Sequence, residues 1–297
     1  MTLLDPSMLR PLPLLESGPE ARYFDYCLEP YRPRRTARGK LRPENILWHS
    51  LVVGGALSPL RPPLLALQES LGRDMTVWGI KWDGSRLFWE MYVYDPLKED
   101  VQTTMTSMAE VLRPWLRVAP TVRESIPYAM VSFDLDAAIG GRGTLEEINL
   151  YLTGEIGHAG RSYKLRADGR LDLENTYRFL AAKAEVDQVL ALLKASVFVD
   201  YSDPAVLSKV LIPELFACKK ICVSKKRYAD AIYFSGIAVE QLLYFLKRFS
   251  YPAGLVEFVT RHQERFDHLS FDVGIDYRPS GDGAALAYPK TSFYGTL

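Results

Sequence analysis

The chain has 297 residues, with 36 Lys plus Arg against 36 Asp plus Glu, 48% hydrophobic and 24% charged; this excludes a disulfide-stapled miniprotein and a disordered chain, and the even charge argues against a nucleic-acid partner. Three cysteines, Cys27, Cys218 and Cys222, form an odd, sparse set, and no basic leader with an apolar run opens the sequence, so a reducing cytoplasm is the expected compartment. The longest apolar stretches, such as 51–60 and 191–199, fall short of the roughly 20 helical residues that cross a bilayer, so no membrane partner is expected.

In chain order, residues 1–45 are rich in Pro and Arg without a sustained period and read as an N-terminal segment wrapping the rest; 46–297 read as one domain. Inside the segment Arg32, Arg34, Arg35, Arg38, Lys40 and Arg42, broken by prolines and Gly39, read as an extended solvated arm. Prolines near its start suit a helix over 60–71, and strands over 75–82 and 86–94 flank a turn at Asp83 and Gly84. A helix over 101–117 leads to strands over 128–135 and 146–153, across a loop with Gly140, Gly141 and Gly143. A third pair, 161–166 and 170–177, turns on Asp168 and Gly169, a type I′ signal. Helices over 182–196 and 205–217 follow, then strands over 219–226 and 230–236. Helices over 238–249 and 253–265 are parted by Pro252, and strands over 269–277 and 286–294 flank a loop at 280–283. The pattern is five hairpins, hence ten strands.

Alternate residues of a strand point to opposite faces of its sheet. One face is apolar: Trp78, Trp89, Val131, Phe133, Ile148, Leu150, Leu171, Leu173, Ile221, Phe234, Val273 and Phe293 lie on it. The other carries Lys81, Glu90, Tyr92, Tyr94, Asp134, Asn149, Tyr151, Thr153, Lys164, Arg166, Asp172, Glu174 and Thr176, then Cys222, Tyr233, Asp272, Asp276, Lys290 and Tyr294. Helices recurring between hairpins would cover the apolar face, and a twisted sheet of that width covered on one side curls. The expected fold is α+β: a closed, antiparallel, ten-stranded β-barrel with an outer ring of helices and a polar lumen. The count of 17 Tyr against 4 His favours sites that use phenol rings. An open sheet with its polar face in water shares the same period, but solvent faces usually carry more Lys and Glu and fewer Tyr than this one, which favours closure.

Standard short motifs are missing. There is no phosphate loop, dinucleotide fingerprint, nucleophile elbow or His-Glu-x-x-His, and Cys218 with Cys222 lacks the further ligands of a zinc site, so no metal ligands are assigned.

Helices around ten antiparallel strands built from ββα units resemble the ABBA prenyltransferases, whose αββα repeats close into the PT barrel. The segment 220–236, KICVSKKRYADAIYFSG, with 241–249, QLLYFLKRF, looks like the late hairpin-plus-helix unit of the cyanobactin-type peptide prenyltransferases. So do 131–136, VSFDLD, with 147–152, EINLYL, and the closing stretch 288–294, YPKTSFY. The resemblance covers 75–297 and implies an enzyme that moves a dimethylallyl or geranyl unit from its diphosphate to a nucleophilic, aromatic side chain of a peptide, or to a small aromatic acceptor. A monomer is expected.

Under that resemblance the residue types take roles. Ionising the carbon–oxygen bond requires cations or donors at the leaving oxygens; Lys81, Lys164, Arg166 and Lys290 qualify, with Asn149 as a neutral donor beside them. The allylic cation needs electron-rich, unreactive walls that exclude water, and each ring face offers about 0.5–2 kcal/mol; Tyr92, Tyr94, Tyr151, Tyr233 and Tyr294 would form this shield. A carboxylate could take the acceptor's proton, Glu90 first, then Glu174 and Asp134. Mg²⁺ would help neutralise the diphosphate where protein cations are few. Glu90 and Asn149 stand on the second and fourth strands, where family members tend to carry Arg or Lys, which favours the alternative: a non-catalytic barrel protein that binds a peptide or apolar ligand. An open-sheet scaffold binding partners by its polar face is the third reading.

Overall fold

The computed structural model describes residues 12–94, 104–121, 124–139, 143–152, 159–281 and 285–297. The N-terminal segment leads into α1 (Glu44–Val53) and α2 (Leu57–Leu71), followed by the hairpin β1 (Thr76–Trp82) and β2 (Leu87–Tyr94). Next come α3 (Met105–Leu112), β3 (Arg117–Val118), β4 (Tyr128–Leu135), β5 (Thr144–Leu145), β6 (Glu147–Leu152), β7 (Ala159–Arg166) and β8 (Leu171–Ala181). Then follow α4 (Val186–Lys194), α5 (Pro204–Val210), β9 (Lys220–Lys226), β10 (Asp230–Ile237), α6 (Val239–Arg248), α7 (Ala253–Arg261), α8 (Gln263–Phe266), β11 (Phe271–Pro279) and β12 (Leu286–Thr296).

Ten of the strands close into an antiparallel barrel in the order β1-β12-β11-β10-β9-β8-β7-β6-β4-β2, while β3 and β5 form a separate parallel pair. Closure is made where β12 meets β1, with Gly79 opposite Tyr294 and Ile80 opposite Phe293. The architecture fits the PT barrel in general. No helix among the described residues is long and apolar enough to cross a membrane.

The apolar strand face packs outward beneath helices. Trp78, Trp89, Phe133, Phe234, Phe271 and Phe293 are essentially inaccessible, in one cluster with Ile46, Leu47 and Leu51 of α1, Leu60 and Leu64 of α2, and Leu242 and Phe245 of α6. Each such side chain contributes about 1.5–3 kcal/mol by leaving water. Buried indole N–H groups need acceptors, and Trp78 Nε1 donates to the Thr296 carbonyl at 2.9 Å, Trp89 Nε1 to Ser50 Oγ at 2.8 Å.

Several expectations are corrected. Helix α1 lies where the sequence reading places no element. The helix expected over 205–217 ends at Val210, because Pro213 holds Ile212 extended (ψ 116°). That over 253–265 breaks into α7 and α8, and that over 101–117, whose first residues lie outside the described ones, ends at Leu112 just before Pro114. Leu171 and Leu173, expected under a helix, are 40% and 49% exposed. Arg42, placed in a solvated arm, is 5% exposed and donates to Asp74 at 2.7 Å. On β8 the alternation slips. Ser162 and Tyr163 of β7 face Asn175 and Leu173, so Glu174 is the extra residue of a β-bulge. Beyond it Tyr177 and Phe179 take the lumen side, and Thr176 does not. Thr153, Gly140, Gly141 and residues 282–284 lie outside the described residues.

Candidate functional site in the barrel lumen

The middle of the lumen is a ring of phenols. Tyr92 lies 5.9 Å from Tyr294 and 6.4 Å from Tyr151, Tyr151 lies 6.2 Å from Tyr177, and Tyr233 lies 6.3 Å from Tyr294, all between ring centroids. With Tyr94, Phe179 and Cys222 they wall a cavity of about 380 Å³. Two glycines let the rings lie flat against the sheet. A Cβ at Gly79 would come 2.9 Å from the Tyr294 ring, and one at Gly274 2.5 Å from the Tyr233 ring. Burial pushes the hydroxyls of Tyr92, Tyr151, Tyr177, Tyr233 and Tyr294 above the ordinary phenol value, so the walls stay neutral: electron-rich on their faces, without a phenolate nucleophile.

Below this chamber, at one end of the barrel, lies a charged layer in three networks. In the first, Lys81 Nζ is 2.6 Å from Glu90 and 2.6 Å from Asp134. Glu90 also accepts from Ser132 Oγ at 2.6 Å, from Asn149 Nδ2 at 3.4 Å and from the Tyr92 hydroxyl. Burial would raise the Glu90 carboxyl, but Lys81 and the Ser132 and Tyr92 hydroxyls hold it down at about 2. Burial likewise opposes the charge on Lys81, yet Asp134 and Glu90 keep its pKa above the ordinary lysine value. In the second, Lys164 is 2.6 Å from Glu147, and Arg166 is 3.0 Å from Glu147 and 2.8 Å from Asp172. In the third, Lys226 reaches both Asp276 oxygens, at 2.6 and 2.7 Å, and Lys290 is 3.3 Å from the same carboxylate. Burial pushes Lys226 down to about 8 against the pull of Asp276, helped by Lys290 and Lys81. Lys226 also sits 6.0 Å from the Tyr233 ring, joining the charged layer to the chamber.

The opposite end is the mouth, lined by Tyr94, Arg161, Glu185 and Lys220 and by Tyr26, Cys27 and Glu29 of the N-terminal segment. Asp272, 3% exposed, accepts there from the Tyr26 amide at 2.9 Å. Burial and then Asp25 push its carboxyl up to about 7, although Ser235 and the Tyr26 and Gly236 amides stabilise the anion.

Strand alternation thus brings Lys81, Glu90, Asp134, Asn149, Lys164, Arg166 and Lys290 to one end and Tyr92, Tyr151, Tyr233 and Tyr294 above them, with Tyr94 nearer the mouth. Glu174 stands apart on its bulge. The tyrosines line the cavity, whereas Glu174, Lys81, Glu90, Asp134, Asn149, Lys164, Arg166 and Lys290 are not among its lining residues. Lys226, Tyr177, Phe179, Tyr26 and Asp272 were not among the sequence-based candidates. Lys226 follows from continuing the alternation of Cys222 and Ser224 by one step. Tyr177 and Phe179 are hidden by the bulge, and Tyr26 by having no strand around it. Among the described residues no group of three or more His, Cys, Asp or Glu is arranged to hold a metal ion. No protein-family model and no curated protein matches this chain.

Proposed function

We propose that the chain is a prenyltransferase of the ABBA type, transferring a dimethylallyl or geranyl unit from its diphosphate to an aromatic acceptor. The observation that carries the reading is a charged layer stacked directly against a phenol-walled chamber. Lys81, Lys226 and Lys290 would hold the diphosphate, exchanging their carboxylate partners for phosphate oxygens and stabilising the charge that builds as the carbon–oxygen bond ionises. The prenyl chain would lie among Tyr92, Tyr151, Tyr177, Tyr233 and Tyr294, whose neutral ring faces stabilise the allylic cation and keep water away. Glu90, held ionised, contributes fixed negative charge at the chamber floor rather than proton uptake, since a carboxylate with a pKa of about 2 is a poor base at neutral pH. The acceptor would reach the cation from the mouth.

Calorimetry with dimethylallyl and geranyl thiodiphosphates, followed by mass analysis of a peptide panel incubated with the two diphosphates, tests the reading. Absence of both donor binding and adduct retires it. A second reading, a non-catalytic barrel that binds a peptide or apolar ligand, is favoured by the carboxylate partner that each cation named in the charged layer already has. Peptide binding without thiodiphosphate binding would select it.

A further inference from the structure

Residues 23–31 fold back on themselves as a short hairpin at the mouth: Tyr31 N donates to the Tyr23 carbonyl at 2.9 Å, and Phe24 bridges Pro30. The tip enters the barrel. The Tyr26 amide donates to Asp272 at 2.9 Å, and the Tyr94 hydroxyl donates to the Tyr26 carbonyl. The Tyr26 ring lies 5.5 Å from Tyr294, 6.2 Å from Tyr233 and 6.3 Å from Phe179, among the rings of the chamber. On either side of it Asp25 and Glu29 reach Lys220, Asp25 at 3.9 Å. The barrel therefore binds both backbone groups of one residue, encloses its aromatic side chain and sets a cation beside the flanking carboxylates.

We propose that the segment Asp25–Glu29 is an internal stand-in for the acceptor, and that the mouth takes a peptide whose internal aromatic residue is flanked by carboxylates. Asp272 and Tyr94 read the amide and carbonyl of that residue, which a free phenol lacks, and Lys220 reads the acidic flank. The inference rests on the chamber being the acceptor's destination. The stand-in is built to leave: the Tyr26 hydroxyl is buried beside Cys222 without an oxygen or nitrogen partner among the described residues, and Leu28 is held at φ 55°, a left-handed conformation that a branched apolar residue adopts at a cost.

The test uses the full chain and a dye-labelled, end-capped peptide of residues 24–30 with Ser in place of Cys27, read by anisotropy without any diphosphate. Tyr26→Gly should bind it at least tenfold more tightly than the wild type, whose own segment competes. In that background Asp272→Asn and Lys220→Glu should each weaken binding at least fivefold, and a peptide with Ala for its Tyr should not bind. Equal binding by Tyr26→Gly and wild type, or indifference to Asp272→Asn, overturns the proposal. Should Tyr26→Gly not fold, hydrogen exchange in the wild type decides: saturating peptide must speed exchange at 23–31 at least tenfold, and unchanged exchange overturns it. Thiodiphosphate binding, measured on the same protein, separates the two readings: peptide binding without it keeps this inference and removes transferase activity, whereas donor binding with no peptide response does the reverse.

Discussion

Lys81 and Glu90 face each other at 2.6 Å on the β1–β2 hairpin, 4% and 3% exposed. Removing one member of such a pair leaves the other buried and uncompensated, which costs about 3–5 kcal/mol. Lys81→Ala should therefore lower unfolding free energy by about 3 kcal/mol in urea titrations. The double change Lys81→Met with Glu90→Leu should recover most of that loss; a double variant as unstable as the single one would show that the pair is not the unit.

Acid and neutral limbs of the stability profile should have separate owners. Glu90, depressed from an ordinary 4.5 to about 2, contributes stability present above pH 4.5 and lost as pH falls towards 2. Asp272, raised from 3.8 to about 7, contributes stability present below pH 3.8 and lost as pH rises through 7. Urea midpoints measured from pH 3 to 8 should show Glu90→Gln flattening the acid limb and Asp272→Asn flattening the neutral one.

Gly274→Ala should disturb the chamber from the far side of its wall. The new methyl group would sit 2.5 Å from the Tyr233 ring and 2.8 Å from Ser292 Oγ, so the ring must swing into the cavity. Overpacking of this kind costs about 1–3 kcal/mol. The expected outcome is a lower melting temperature together with at least tenfold weaker thiodiphosphate binding; a variant that binds normally would place the prenyl chain elsewhere.

Lys226→Met and Lys290→Ala should each weaken thiodiphosphate binding about tenfold, equivalent to ~1.4 kcal/mol, while Glu90→Gln should slow transfer more than it weakens binding. A bound anion raises the pKa of Lys226 from about 8, so binding at pH 8 should take up protons. Calorimetry in buffers of different ionisation enthalpy reads that uptake directly, and Lys226→Met should abolish it.

Much of this protein was legible residue by residue. Alternation of period two, a local property, marked the ten strands and put Lys81, Tyr92, Tyr151, Tyr233 and Tyr294 on the lumen side, and the apolar face with recurrent helices implied closure. The slip at Glu174 was not legible, because a bulge depends on how β7 is aligned beside β8. Nor was the matching of cations to carboxylates: Lys226 meets Asp276 across 50 residues of chain, a pairing created only when the barrel closes.

Local chemistry thus decides which side chains a strand presents and to which face. Which of them meet is decided by register, bulges and closure, long-range relations between segments that no short window of residues contains. Tyr26 shows the difference most plainly: it lies in an irregular, proline-bracketed stretch with no period, and its place among the lumen rings is due to Asp272, which lies 246 residues further along the chain.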